Sequence, residues 1–324
     1  MKLFALDASR DFGERVAAAL GLPLAPHEER RFEDGEHKAR PLAGVRGADA
    51  YVVQSLHGGP EESPDDKLCR LLFFLGALRD AGAARLTAVI PYLAYARKDR
   101  RTKPRDPVTS RYVAQLLEAV GTDAVVTLEV HNPAAFENAF RCRTVHLGGH
   151  VLFVPRLASL DGPLIVASPD PGGVKRAQIF REQLERRLGR EVGSAFMEKR
   201  RSAGVVSGNL LAGEVAGATV LIVDDLISTG GTMLRAAEAC LAQGAARVVA
   251  VAAHGLFTGN AAEVIASPAL SHCLVSDSVP PFRLPPALLG SRVEVVEAAP
   301  LFAEAIRRLH EGGSITELVE GDAA

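Results

Sequence analysis

Eight short apolar runs, separated by amphipathic stretches, set the narrowest limit on what this chain can fold into. They are Lys2–Leu6, Ala50–Gln54, Leu86–Ile90, Ala124–Leu128, Leu164–Ala167, Val220–Val223, Val248–Ala252 and Val293–Val296. They are rich in Val, Ile and Leu and mostly lack polar alternation, as parallel strands covered on both faces require. Helical patterns lie between them. Val108–Val120 opens after Pro107 and stops at Gly121, and Thr232–Leu241 ends close to Gly244. Leu301, Phe302, Ala305, Ile306 and Leu309 share one helical face. Alternation of this kind predicts an α/β fold with parallel sheets.

The pattern also repeats. Ala50-Tyr-Val-Val-Gln-Ser-Leu56 leads through a helix to Gly82-Ala-Ala-Arg85 and a further strand. Val220-Leu-Ile-Val-Asp-Asp-Leu226 leads the same way to Gly244-Ala-Ala-Arg247. The offsets are 170 and 162 residues, which an eight-residue difference in loop length reconciles. Two ordinary βα units would look partly alike by chance, but two domains of one fold account for the order as well. The expected division is 1–150 and 151–324, with a C-terminal helix over 299–311 that packs back on the first domain. The copies differ at the strand end: the second carries Asp224-Asp225 and a short loop, the first His57-Gly-Gly-Pro60 and a longer acidic one. Chemistry is therefore expected in one copy.

Composition removes several classes of function. With 37 basic and 39 acidic residues the net charge is −2, so no global positive field exists to hold nucleic acid or an anionic membrane. No apolar stretch approaches the ~18 residues of a membrane span, and Asp7 interrupts the N-terminal run too early for a signal-peptide core. Cys69, Cys142, Cys240 and Cys273 lack metal-ligand spacing and read as reduced thiols of a cytoplasmic protein.

The segment that points most directly to chemistry is Asp224-Asp225-Leu-Ile-Ser-Thr-Gly-Gly-Thr232. Ligands of open α/β sheets bind at the carboxyl ends of strands. Gly230 and Gly231 let backbone amides converge, Ser228, Thr229 and Thr232 add hydroxyls, and a helix start adds positive partial charge. That is a cradle of phosphate size. The two acids suit sugar hydroxyls or a divalent ion, so strand end and loop together fit a sugar phosphate. An ordinary capped turn is the plainer alternative. No G-x-x-x-x-G-K-[ST] occurs, so ATP would have to bind without a P-loop.

This element resembles the loop that binds phosphoribosyl pyrophosphate (PRPP) in type I phosphoribosyltransferase folds. Further segments narrow the likeness to the ribose-phosphate diphosphokinase (PRPP synthetase) family. These are Arg31-Phe-Glu-Asp-Gly-Glu36, Tyr95-Ala-Arg-Lys-Asp-Arg100, Glu129-Val-His131, Ser168-Pro-Asp-Pro-Gly-Gly173 with Lys175-Arg176, Glu198-Lys-Arg-Arg201 and the run from Ala299 to Glu311. The resemblance implies two tandem type I-like domains, each a mainly parallel sheet flanked by helices. It implies transfer of the β,γ-diphosphoryl group of Mg-ATP to the C1 hydroxyl of ribose 5-phosphate, giving PRPP and AMP.

The same resemblance assigns tasks. Ser228, Thr229, Gly230, Gly231 and Thr232 would cradle the 5-phosphate, with Asp224 and Asp225 on the ribose hydroxyls. Phe32, Asp34, Gly35 and Glu36 would form a shelf for adenine; Arg97 and Lys98, in the densest basic run of the chain, would meet the triphosphate. Asp170 offers a hard oxygen for Mg²⁺ (magnesium), and His131 is the family's other metal-linked residue. Lys199 and Arg201 would stabilise the transferring group from a flap that continues into Ser202–Gly208. A homo-oligomer is implied, built on dimers and extending to a hexamer, in which Asp34–Glu36 complete a neighbour's site. Several positions depart from the common bacterial form: Lys98 for Gln, Glu129-Val130 for Asp-Leu, Pro133–Phe140 for a Gln-rich segment, and Ser228 for Asp, as in the archaeal type. A non-catalytic regulatory relative and a PRPP-consuming phosphoribosyltransferase are the alternatives. The first would be favoured by loss of Lys199, His131 or the loop; the second needs neither the 31–36 nor the 95–100 segment.

Overall fold

A computed structural model describes residues 1–202 and 205–320, without the side chains of 199–209. The chain divides into two units: Met1–Gly148 together with the segment from Ala298, and Gly149–Glu297.

The first unit runs β1 (Lys2–Ala5), α1 (Arg10–Leu20), β2 (His27–Arg31), β3 (His37–Pro41), β4 (Asp49–Val53), α2 (Pro64–Asp80), β5 (Arg85–Ile90), α3 (Thr109–Ala119), β6 (Ala124–Leu128), α4 (Pro133–Ala139) and β7 (Arg143–Leu147). Its five-stranded parallel sheet has the order β1-β4-β5-β6-β7, and β2 and β3 form a separate antiparallel hairpin. Every residue of β6 is buried, as expected of a strand covered on both faces. α2 starts at a reciprocal cap between Ser63 and Asp66, with Pro64 in its first turn, and lays Leu71, Phe74, Leu75 and Leu78 against the sheet.

The second unit comprises α5 (His150–Leu157), β8 (Leu164–Ser168), α6 (Val174–Leu188), β9 (Gly193–Ser202), β10 (Val205–Ala212), β11 (Thr219–Ile227), α7 (Gly231–Ala242), β12 (Arg247–Gly255), α8 (Ala261–Ala266), β13 (His272–Ser276) and β14 (Val293–Val296). Its sheet runs β10-β9-β8-β11-β12-β13-β14, parallel except where β10 meets β9. From β8 onward its order matches that of the first sheet, strand for strand, and in both units a hairpin is inserted between the first two of these strands.

The chain then returns to the first unit as α9 (Ala299–Glu311) and α10 (Ile315–Glu320). The apolar face of α9 buries Leu301, Phe302, Ala305, Ile306 and Leu309, each worth about 1.5–3 kcal/mol for the larger side chains. Phe302 meets Phe12 of α1 edge to face at 5.5 Å. His310 Nδ1 lies 2.7 Å from Asp49 Oδ2, and Arg307 Nη2 donates to the Ala19 carbonyl at 3.2 Å. Among the described residues no helix is long and apolar enough to cross a membrane.

All eight apolar runs lie on strands, and none of them falls on β2, β3, β7, β9, β10 or β13. The β2–β3 hairpin shows why. It is held by charge, with Arg40 2.7 Å and Lys38 3.5 Å from Glu28, instead of by an apolar period.

Candidate active site

The strand expected to stop at Val223 continues through Asp224 and Asp225 to Ile227. It does so because β12 runs on beside it, pairing Leu226 with His254 and Ile227 with Gly255. The two acids are therefore fixed on a rigid strand. Arg176, in the first turn of α6, places Nη1 3.2 Å from Asp224 Oδ1 and 3.7 Å from Asp225 Oδ1, and all three side chains are largely buried. Burial, then the adjacent Asp225 carboxylate, hold the Asp224 carboxyl well above its usual range, and Arg176 offsets this only in part. A pair in this state favours partners that bring hydroxyl donors or positive charge.

Beyond Ile227 the chain turns at Gly230, with φ 78°, into α7. A Cβ there would stand 2.7 Å from Val264 Cγ1, so the turn needs both the conformational freedom and the missing side chain of glycine. The turn carries Ser228 and Thr229 and leads into the first amides of α7, with Thr232 in its first turn. Ser228 Oγ lies 2.8 Å from Thr258 Oγ1, and Arg235 Nη2 donates to Thr232 Oγ1 at 3.3 Å. Asp170 and Thr232 share the wall of a small cavity of about 50 Å³, with Glu198 and Arg235 also lining it. The second unit thus brings Asp170, Asp224, Asp225 and the 228–232 loop together. Asp170 Oδ1 accepts from the Gly172 and Gly173 amides at 2.8 and 3.1 Å, which orients its other oxygen.

In the first unit, Phe32, Asp34, Gly35 and Glu36 form the tip of the β2–β3 hairpin. The Phe32 amide donates to the Glu36 carbonyl (2.8 Å), Asp34 Oδ1 accepts from the Glu36 amide (3.0 Å), and Arg30 lies 5.0 Å over the Phe32 ring. Asp34 and Glu36 are exposed and Phe32 half-buried. Arg97 is exposed; Lys98 Nζ is 3.6 Å from Asp106. Asn132 Nδ2 donates to Asp99 Oδ2 at 2.7 Å, which ties the segment carrying His131 to the basic segment of Arg97 and Lys98.

Lys199 and Arg201 sit on β9, opposite Asn209 and Val206 of β10, so the described part of the expected flap is two antiparallel strands at the sheet edge, and residues 203 and 204 of it lie outside the described residues. Their side chains lie outside the described residues. Neither Arg176 nor Thr258 is among the residues to which the sequence assigns a task. A basic residue one turn beyond Asp170-Pro-Gly-Gly was the available signal for the first; no local signal existed for the second.

Comparison with known proteins identifies the family and the fold. The family model for the N-terminal domain of ribose phosphate pyrophosphokinase matches residues 1–121, and that for the phosphoribosyl synthetase-associated domain matches 206–320. A ribose-phosphate pyrophosphokinase of Caldanaerobacter subterraneus subsp. tengcongensis is 38% identical over 323 residues, covering 98% of this chain and 97% of that protein. The chain belongs to the ribose-phosphate pyrophosphokinase family. Another such pyrophosphokinase, from Wolinella succinogenes, is 37% identical over 98% of both chains. In fold, the chain matches the crystal structure of phosphoribosylpyrophosphate synthetase from Mycobacterium smegmatis with a TM-score of 0.85 and 31% identity. That match covers 96% of this chain and 99% of the other.

Proposed function

We propose that the protein is an active ribose-phosphate pyrophosphokinase: it transfers the β,γ-diphosphoryl group of ATP to the C1 hydroxyl of ribose 5-phosphate, releasing AMP. The observation that carries this reading is the Asp224–Asp225 pair, braced by Arg176 and followed at once by the hydroxyl-rich turn into α7. Carboxylates accept the ribose hydroxyls, and amides and hydroxyls of 228–232 take the 5-phosphate. The sugar is thereby held at both ends.

On the nucleotide side, Phe32 offers an aromatic face to adenine, with Asp34 and Glu36 as acceptors for its amino group. Arg97 and Lys98 meet the triphosphate. The exposed place of Asp34 and Glu36 at a hairpin tip supports their completing the site of a neighbouring copy in a homo-oligomer. Mg²⁺ fits Asp170, whose oriented carboxylate offers a hard oxygen, with His131 as the second residue linked to the metal. A cation bound there neutralises charge on the triphosphate.

In the reaction the C1 oxygen bonds to the β-phosphorus as the bridge to the α-phosphate breaks, AMP leaves, and the hydroxyl proton is released. Charge builds on the transferring oxygens, where a Lys and an Arg act by electrostatics. Lys199 and Arg201 take that part. The test is AMP formation from Mg-ATP with and without ribose 5-phosphate, beside Lys199→Ala. AMP that requires the sugar phosphate, matches PRPP in amount and falls about a thousandfold in the variant supports the reading. Sugar-phosphate binding without AMP from any nucleoside triphosphate overturns it in favour of a regulatory relative.

A further inference from the structure

The segment that follows β12 is held on every side. Phe257 adopts φ 47°, a left-handed conformation that side-chain-bearing residues keep only where their surroundings enforce it. Arg283 Nη1 donates to the Leu256 carbonyl at 2.9 Å. The Leu256 and Phe257 amides both donate to the Ile227 carbonyl, at 2.9 and 3.1 Å. These contacts set Thr258 against Ser228 twice over: its amide donates to the Ser228 carbonyl at 2.9 Å, and its hydroxyl lies 2.8 Å from the Ser228 hydroxyl. Gly259 follows at φ 59°, in the left-handed region that glycine adopts freely, and a Cβ there would make only ordinary contact with the Thr229 methyl, at 3.5 Å.

Two hydroxyls at this distance share one hydrogen bond, and either can be its donor. A bound phosphate monoester breaks that symmetry, because near neutral pH it is mostly dianionic and accepts hydrogen bonds. If Ser228 spends its proton on the phosphate, the proton between the two hydroxyls must come from Thr258. We propose that Thr258 is a positioning residue for ribose 5-phosphate, whose hydroxyl donates to Ser228 and so turns the Ser228 hydroxyl outward as a donor to the 5-phosphate. The proposal rests on reading Ser228–Thr232 as the phosphate cradle. It gives the serine at the head of this loop a polarising partner, 30 residues away in sequence.

The experiment compares Thr258→Val, which keeps the shape and removes the hydroxyl, with Thr258→Ser, Ser228→Ala and the Thr258→Val/Ser228→Ala double variant. Initial rates give kcat and KM for each substrate. Thr258→Val is expected to raise KM for ribose 5-phosphate about tenfold, with kcat and KM for ATP nearly unchanged. Thr258→Ser should restore the wild-type value, and the double variant should be no worse than Ser228→Ala alone. Should Thr258→Val fail to fold, Thr258→Ala poses the same question. If Ser228→Ala raises that KM and Thr258→Val does not, the cradle stands and the positioning role falls. An unchanged KM in Ser228→Ala removes the cradle reading and this proposal with it. A loss in Thr258→Val spread evenly over kcat and both KM values, and not rescued by serine, also overturns the proposal.

Discussion

The two sheets share one strand order, yet only the second unit has kept an open strand end. On the 170-residue offset, Gln54 stands where the second unit has Asp224, and Ser55 where it has Asp225. Gln54 is fully buried, Ser55 nearly so, and the Ser55 amide is taken up by Ser9 Oγ at 2.9 Å. Before the short helical turn that follows the first strand, the first unit places buried Leu6 and the second Asp170. The first copy has been filled with its own side chains. The second carries carboxylates at the same places, with Asp224 and Asp225 braced by Arg176. The fold therefore supplies the location of a site, and a few substitutions at strand ends decide whether it stays open.

The largest effect expected from this contrast is on activity. Truncating both acids, Asp224→Ala with Asp225→Ala, should lower kcat/KM for ribose 5-phosphate by about a thousandfold if, as proposed, both hold the sugar through charge-assisted contacts. The same truncation at Gln54 and Ser55 should leave it within about threefold, because those side chains face only protein. A comparable loss from the second pair would show that the first copy still takes part in turnover.

A middling effect is expected on stability, with a definite sign. The Asp224 carboxyl is raised above its ordinary value, so the folded chain binds this proton more tightly than the unfolded chain. The resulting stabilisation is fully present below about pH 4, the range of an unfolded Asp. It is lost as pH rises through the raised value. Thermal melts of the ligand-free protein should therefore show Asp224→Asn gaining on the wild type as pH increases, by a few degrees near neutrality. A difference that stays flat with pH would mean that Arg176 already neutralises the pair.

Much of this architecture was legible because burial writes itself into periodicity. β6 and β14 could be bounded to the residue from their apolar runs alone. The candidate site could be picked out in sequence where several of its residues adjoin, as at 224–232. The rest depended on pairings between distant residues. Arg176 reaches Asp224 across 48 positions, and Ser228 meets Thr258 across 30. The β2–β3 hairpin is paired by charges that look, in sequence, like any solvated stretch.

Gln54 supplies the smallest and most pointed test. Neither amide atom of this buried side chain has a hydrogen-bond partner among the described residues, and the Thr127 hydroxyl is in the same position. An unpartnered buried amide is a net cost, so Gln54→Met should stabilise the protein by about 1 kcal/mol, seen as a Tm higher by about 2 °C. A lower Tm would mean that the filled copy still needs its amide.

The return of α9 to the first unit has a consequence for how the chain is made. Phe12 and Phe302 pack together at 5.5 Å although 290 positions separate them. A ribosome delivers the N-terminus first, so the first unit emerges early and then waits for its last helix. The second unit, encoded in one uninterrupted stretch, already has all its strands. The half that is synthesised first is thus completed last, and a nascent chain halted after Glu297 would leave uncovered the side of α1, Phe12 included, that α9 packs against, a surface for chaperones to hold until translation ends.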